Sequence, residues 1–250
     1  PYFFCPNIIP KNDISKPIRD EEKYLELFNE VKNEKYFGEA TASYLRDPEA
    51  ALLIYEKNPK AKILISLRNP THRAFSQYTG FLRGEFLSGS FRENIHSHLK
   101  DLEQKKYNRN ILHGGFYYEQ VKKFLDVFPK EQVMIISFES FIENPQNTIN
   151  DILEFLGLEK KIKFKPILYG GYQSKLKKSR ERFSKNKCII KLGRILIKSQ
   201  KNRHYLFMKL VRPKVMKPKI NDEDKILLKT IYFQDVEKLE KLLKKKFHWF

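Results

Sequence analysis

The residues best suited to chemistry in this chain are Arg68 and Ser76, in the string Arg68-Asn69-Pro70-Thr71-His72-Arg73-Ala74-Phe75-Ser76-Gln77-Tyr78. A guanidinium is always charged, and its forked donors match two oxygens of one phosphate. Ser76 lies about two helical turns further on, where its hydroxyl can serve the same anion. Thr71 and the first N–H groups of a helix starting there would add donors. The chemistry implied is capture of a phosphate-like anion. The same residues also suit an ordinary strand–helix junction with a surface arginine, and local physics leaves both readings open.

Such a site needs a strand before it and a helix after it. Lys62–Leu67 is a short apolar run between Pro59 and Pro70, which reads as a buried parallel strand. Thr71 can cap a helix from His72 to about Leu82. That order places a ligand outside the carboxyl end of the strand. Gln132–Ser137 reads as a second buried strand. Amphipathic helices are expected over Asp20–Asn33, from Asp47-Pro48 to about Asn58, over Phe91–Tyr107 and Phe116–Phe128, and from Pro145 to a close at Gly157. Tyr36–Glu39 reads as a short strand leading into a loop. Residues 160–219 are basic and fit a loop with one or two irregular helices. Asn221–Trp249 fits one long helix or two short ones. With no internal repeat, a single α/β domain over residues 1–250 is the simplest organisation.

A hydrophobic content of 41% in 250 residues is enough for one sizeable core and argues against disorder. No apolar run is long enough to span a bilayer, and the first residues do not form a signal peptide. Cys5 and Cys188 read as free thiols rather than a disulfide framework, and no Cys/His cluster has metal-ligand spacing. The formal charge of +19 favours an anionic partner: nucleic acid, anionic lipid, acidic polysaccharide or nucleotide. Charge alone does not choose among them.

Lys62–Tyr78 is similar to the 3′-phosphate-binding segment of the sulfotransferases that use 3′-phosphoadenosine 5′-phosphosulfate (PAPS). Arg68, Pro70, Arg73, Ser76 and Tyr78 fall at that family's spacing. Further stretches resemble family elements in family order: Gly38–Leu45, Gly115-Phe116-Tyr117 with Phe128-Pro129, Phe138–Pro145, Phe155–Leu158, and Asp235-Val236 through Trp249. The fit is best to the carbohydrate sulfotransferases, heparan sulfate-type and bacterial. The resemblance implies a P-loop-like three-layer fold, with a central parallel sheet flanked by helices. It implies transfer of a sulfuryl group from PAPS to a hydroxyl or amine of a carbohydrate, with 3′,5′-adenosine bisphosphate as product and no metal.

The resemblance also assigns roles. Arg68 and Ser76 would hold the 3′-phosphate. Ser174–Arg180 takes the place of a loop over the nucleotide, with Arg180 the best match and Lys178 and Lys175 behind it, although no proline precedes Arg180 as in many bacterial members. The family's phosphosulfate loop has no counterpart in residues 1–250. Pro1-Tyr2-Phe3-Phe4 resembles a family string that follows a lysine–glutamate pair. The catalytic glutamate and lysine, with the first strand and its loop, are therefore expected upstream of Pro1. Within the chain, Tyr2, Glu39, His72 and His113 are the acceptor-side candidates, Glu39 and His72 being the ones considered for a catalytic role. Ala40 stands where the family commonly has lysine. A bacterial cytoplasm is the expected compartment, and a Golgi lumen the alternative. The competing class is a basic nucleic-acid-binding module without activity, which the charge permits but no recognisable RNA or helix-turn-helix motif supports. A nucleotide kinase would need a Walker-type glycine-lysine string, which is absent.

Overall fold

The computed structural model describes residues 1–9, 11, 13, 16–84, 86–163 and 219–250. β1 (Ile63–Leu67) and β2 (Val133–Ser137) pair in parallel, in register from Ile63 with Val133 to Leu67 with Ser137. A parallel pair needs a crossover, and here it is helical. It consists of α3 (Pro70–Arg83), α4 (Phe91–Glu103) and α5 (Tyr117–Val127). Before β1 come α1 (Glu21–Leu25) and α2 (Ala50–Lys57). After β2 come α6 (Phe138–Glu143), α7 (Pro145–Phe155) and α8 (Asp222–Leu243). By backbone contacts the chain divides into two units. One comprises Pro1–Tyr78, Gly89–Phe164 and Asn221–Phe250, and holds both strands. The other comprises Thr79–Ser88 and Lys165–Ile220.

The core of the first unit is built from one stripe per element. Ile65 and Leu67 of β1, Ala74 and Tyr78 of α3, and Tyr117, Val121 and Phe124 of α5 are buried. In α8, Leu228, Tyr232, Val236 and Leu239 recur at helical spacing and pack toward α5. The Tyr232 hydroxyl donates to the Leu112 carbonyl at 3.0 Å. A Cβ on Gly115 would lie 2.8 Å from the Tyr232 ring, so only glycine lets the two segments approach this closely. Phe116, at the start of α5, offers no side-chain cap. Asp235 of α8 caps that helix from outside, accepting the N–H groups of Tyr117 at 2.6 Å and Tyr118 at 3.2 Å.

A second set of contacts ties both strand ends to the C-terminal tail. Glu139, just past β2, accepts the Asn69 N–H at 2.9 Å, the Ser137 hydroxyl at 2.9 Å and the Trp249 indole N–H at 3.0 Å. Burial would raise its pKa. These hydrogen bonds outweigh that and hold it below the usual carboxylate value. The Asn69 side-chain amide donates to the Trp249 carbonyl at 2.9 Å.

Several expectations change. The helix expected over Asp20–Asn33 stops at Leu25 and tightens to a 3-10 turn over Glu26–Phe28, because only Tyr24 of its apolar residues is buried. Tyr36–Glu39 forms no strand. The Glu39 carboxylate instead gathers the hydroxyls of Tyr44 at 2.6 Å, Tyr24 at 3.1 Å and Thr41 at 3.1 Å. Asp47 does not open α2 directly. It accepts the N–H groups of Asn7, Ile8 and Glu49, and the helix begins at Ala50. α4 ends at Glu103, short of Tyr107. β1 is buried on one face among the described residues, with Leu64 46% exposed on the other. Phe138–Glu143 is a helix that was not expected. α7 does open at Pro145 and close at Gly157, whose φ of +63° is the left-handed conformation glycine favours. α8 is one helix, and the tail after Leu243 is not helical.

Two measurements check this scaffold. Glu139→Gln replaces one acceptor oxygen by a donor facing donors, which costs about 2 kcal/mol. The expected fall in Tm is about 4–8 °C for a chain of this size, read by thermal unfolding. Asp235 is pushed up to about 6, chiefly by burial, with the Tyr118 and Tyr117 N–H groups pulling the other way. A carboxyl raised in the folded state stabilises most when protonated, so its contribution is lost as pH rises from 3.8 through about 6. Asp235→Asn removes that segment of the Tm-versus-pH curve, and an unchanged slope in the variant contradicts the assignment.

Candidate functional site

A cleft of about 370 Å³ opens at the carboxyl end of β1, lined by Ser66 and Arg68, by Arg73, Ser76 and Gln77 of α3, by Gly114 and Tyr117, and by Ala42, Leu45 and Arg46. Arg68 and Ser76, paired from sequence, thus line one cavity. Arg68 is held at both ends. The Tyr117 hydroxyl donates to its carbonyl at 2.8 Å, and its guanidinium lies 4.7 Å from the centre of the Phe138 ring.

The start of α3 is not the donor set expected from sequence. Pro70 has no N–H. The Asn69 side chain accepts from Thr71 N at 3.0 Å and His72 N at 3.2 Å, and its carbonyl accepts from Arg73 N at 2.9 Å. Asn69, not Thr71, is therefore the cap, and it uses up the donors a bound anion would need. The start of α3 therefore leaves the donors of this cleft to other groups in its lining, among them the side chains of Arg46, Arg68, Arg73 and Ser76.

Arg73, noted only as part of the family spacing, and Arg46, which the sequence did not single out, also line the cleft. Arg73 donates to Gln77 Oε1 at 2.6 Å and to the Ile111 carbonyl. Arg46 donates to Ser43 Oγ at 3.1 Å. Both lie against Gly114, where a Cβ would fall 2.7 Å from Arg73 Nη1 and 2.9 Å from Arg46 Cδ. Burial first, and the Arg73 charge second, bring Arg46 down to about 10. Among the described residues, no carboxylate pairs with Arg46, Arg68 or Arg73. A signal for Arg73 existed: it stands three residues before Ser76 and four before Gln77, on the same helix face. Arg46 comes from a different segment and carried none.

The other candidates fall elsewhere. Glu39 lies outside the cleft lining and is engaged by the three hydroxyls described above. His72 is exposed on the first turn of α3, held below its ordinary pKa by partial desolvation and by Arg68. His113 stacks on Tyr107 with centroids 4.2 Å apart, and burial together with Arg46 and Arg73 pushes it down to about 4. The Tyr2 carbonyl is bound by Arg19, with no cleft contact. Lys175, Lys178 and Arg180 lie outside the described residues.

Residues 12–220 match the family model of the sulfotransferase domain, and the chain belongs to that family. It is similar to the crystal structure of a sulfotransferase from Alicyclobacillus acidocaldarius, with a TM-score of 0.72 and 28% identity, over 99% of this chain and 84% of that one. No match was found among curated proteins. The fold is thus the P-loop-like α/β fold of a sulfotransferase, and of the two classes left open by the charge the chain falls in the enzyme class. PAPS is the usual donor in this family. No described helix is long and apolar enough to cross a membrane.

Gly114→Ala tests the closeness of the cleft wall. Its methyl overlaps Arg73 Nη1 at 2.7 Å. The expected loss is about 1–3 kcal/mol in urea unfolding, as for other overpacked sites.

Proposed function

We propose that this enzyme transfers a sulfuryl group from PAPS to a hydroxyl or amine of a carbohydrate, with Arg68 and Ser76 holding the 3′-phosphate of the nucleotide. The observation that carries this reading is the convergence of Arg68 and Ser76 on one cleft that is cationic and lacks carboxylate partners among the described residues. The donor set fits a phosphate: forked guanidiniums plus a hydroxyl, with Arg46 Nη1 and Arg73 Nε buried and unpaired among the described residues. When bound, PAPS supplies the activated sulfuryl group. The chain's own part is to bind, orient and neutralise. Phe138 and Tyr117 fix Arg68, and Gln77 fixes Arg73. Lys175, Lys178 and Arg180 are assigned to the cover over the nucleotide by resemblance. The carbohydrate acceptor rests on the likeness of Lys62–Tyr78 to carbohydrate sulfotransferases. The net charge of +19 suits an acidic polysaccharide. The acceptor proton is not assigned to Glu39, whose oxygens are engaged, or to His72, which lies off the cleft.

The test is a thermal-shift titration with 3′,5′-adenosine bisphosphate and with 5′-AMP. Wild type should be stabilised more by the bisphosphate. Arg68→Ala should weaken bisphosphate binding about 10–100-fold, the worth of a charge-assisted pair, and bring the two nucleotides close together. Equal stabilisation of wild type by both nucleotides, or an unchanged preference in Arg68→Ala, sinks the reading.

A further inference from the structure

Three arginines elsewhere among the described residues spend their donors on carboxylates or backbone carbonyls. Arg92 pairs with Asp224 and Glu223, and Arg109 pairs with Asp13. Arg19 spends its donors on the carbonyls of Tyr2, Phe3, Cys5 and Ile9. Arg46 and Arg73 differ in each keeping one buried nitrogen without a partner among the described residues. They come from segments before and after β1 in the chain, lie against the same bare Gly114, and line the cleft without a carboxylate between them among the described residues. Arg46 Nη1 and Arg73 Nε are buried without a hydrogen-bond partner there. Two like charges forced together with donors unspent are costly unless an anion completes them. The depressed pKa of Arg46, due to burial and to Arg73, reports the same cost.

We infer that Arg46 and Arg73 form a second oxyanion-binding centre beside the Arg68–Ser76 pair, taking a phosphate, sulfate or carboxylate group. The inference rests on the reading of this cleft as an anion site, and it adds a locus that the Arg68–Ser76 pair does not supply. Its anion comes either from the nucleotide or from an acidic group on the acceptor.

The test uses the full chain and inorganic sulfate, titrated at constant ionic strength against chloride and followed by thermal shift. Wild type, Arg46→Met, Arg73→Met and Arg46→Lys are compared, with and without saturating 3′,5′-adenosine bisphosphate. Sulfate affinity is expected to fall about tenfold or more in each Met variant, the loss of a charge-assisted hydrogen bond. Arg46→Lys, which keeps the charge but not the fork, should fall between Met and wild type. A sulfate shift abolished by the bisphosphate supports a centre filled by the nucleotide. A shift that persists in its presence supports one filled by the acceptor. Equal sulfate shifts in wild type and both Met variants overturn the proposal, because that is the non-specific stabilisation sulfate gives any protein. If the Met variants do not fold, an unchanged sulfate affinity in Arg46→Lys overturns it equally. Failure of the Arg68–Ser76 reading shows separately, as no preference for bisphosphate over 5′-AMP, and leaves the sulfate comparison intact.

Discussion

Three guanidinium groups share one cleft at the end of β1, and like charges in a partly desolvated space repel. The surrounding structure holds them in place against that repulsion. Arg68 is pinned through its carbonyl by Tyr117 and through its guanidinium by Phe138. Arg73 is clamped between Gln77 and the Ile111 carbonyl. Gly114 removes the one Cβ that would push Arg46 and Arg73 out. A cleft built this way holds positive charge before any ligand arrives, which is the preorganisation that binding and transfer of an anionic group require.

The acidic residues show how such a charge is left uncancelled. Asp47, Asp235 and Glu139 accept backbone N–H groups, Glu39 accepts hydroxyls, and Asp13 and Asp224 pair with arginines remote from the cleft lining. Carboxylates here serve as internal acceptors that join distant segments. Asp235 links α8 to α5, and Glu139 links both strand ends to the C-terminal tail. None of these acids pairs with the three cleft arginines.

The closure of α3 by Asn69 has a further consequence. A helix N-terminus left open would offer an anion partial charges and N–H groups along one axis. With those donors taken internally, arginine forks are the charged donors in the cleft lining, and a fork can bind two oxygens of one group and discriminate by geometry as well as charge. The Asn69 amide also holds the Trp249 carbonyl, so one side chain ends the strand, caps the helix and anchors the tail.

Much of this was legible in order along the chain. The β-branched and leucine run before Pro70 specified β1. Pro145 and Gly157 bracketed α7, and the apolar stripe of Leu228, Val236 and Leu239 marked α8. Arg68 and Ser76 stood out because a strand end and a helix face two turns on are local facts. Other features needed the folded molecule. Asn69 and Thr71 are both competent caps, and which one serves is decided by Pro70 taking the first helical position. Tyr36–Glu39 has a strand's composition, but a carboxylate surrounded by three hydroxyls holds it in another path. Arg46 reaches the cleft only because the segment carrying it packs against Gly114 and α3. Periodicity and turn chemistry encode which face of an element is buried. They carry no information about which charged side chains from distant segments will share one desolvated space, because that depends on packing between elements.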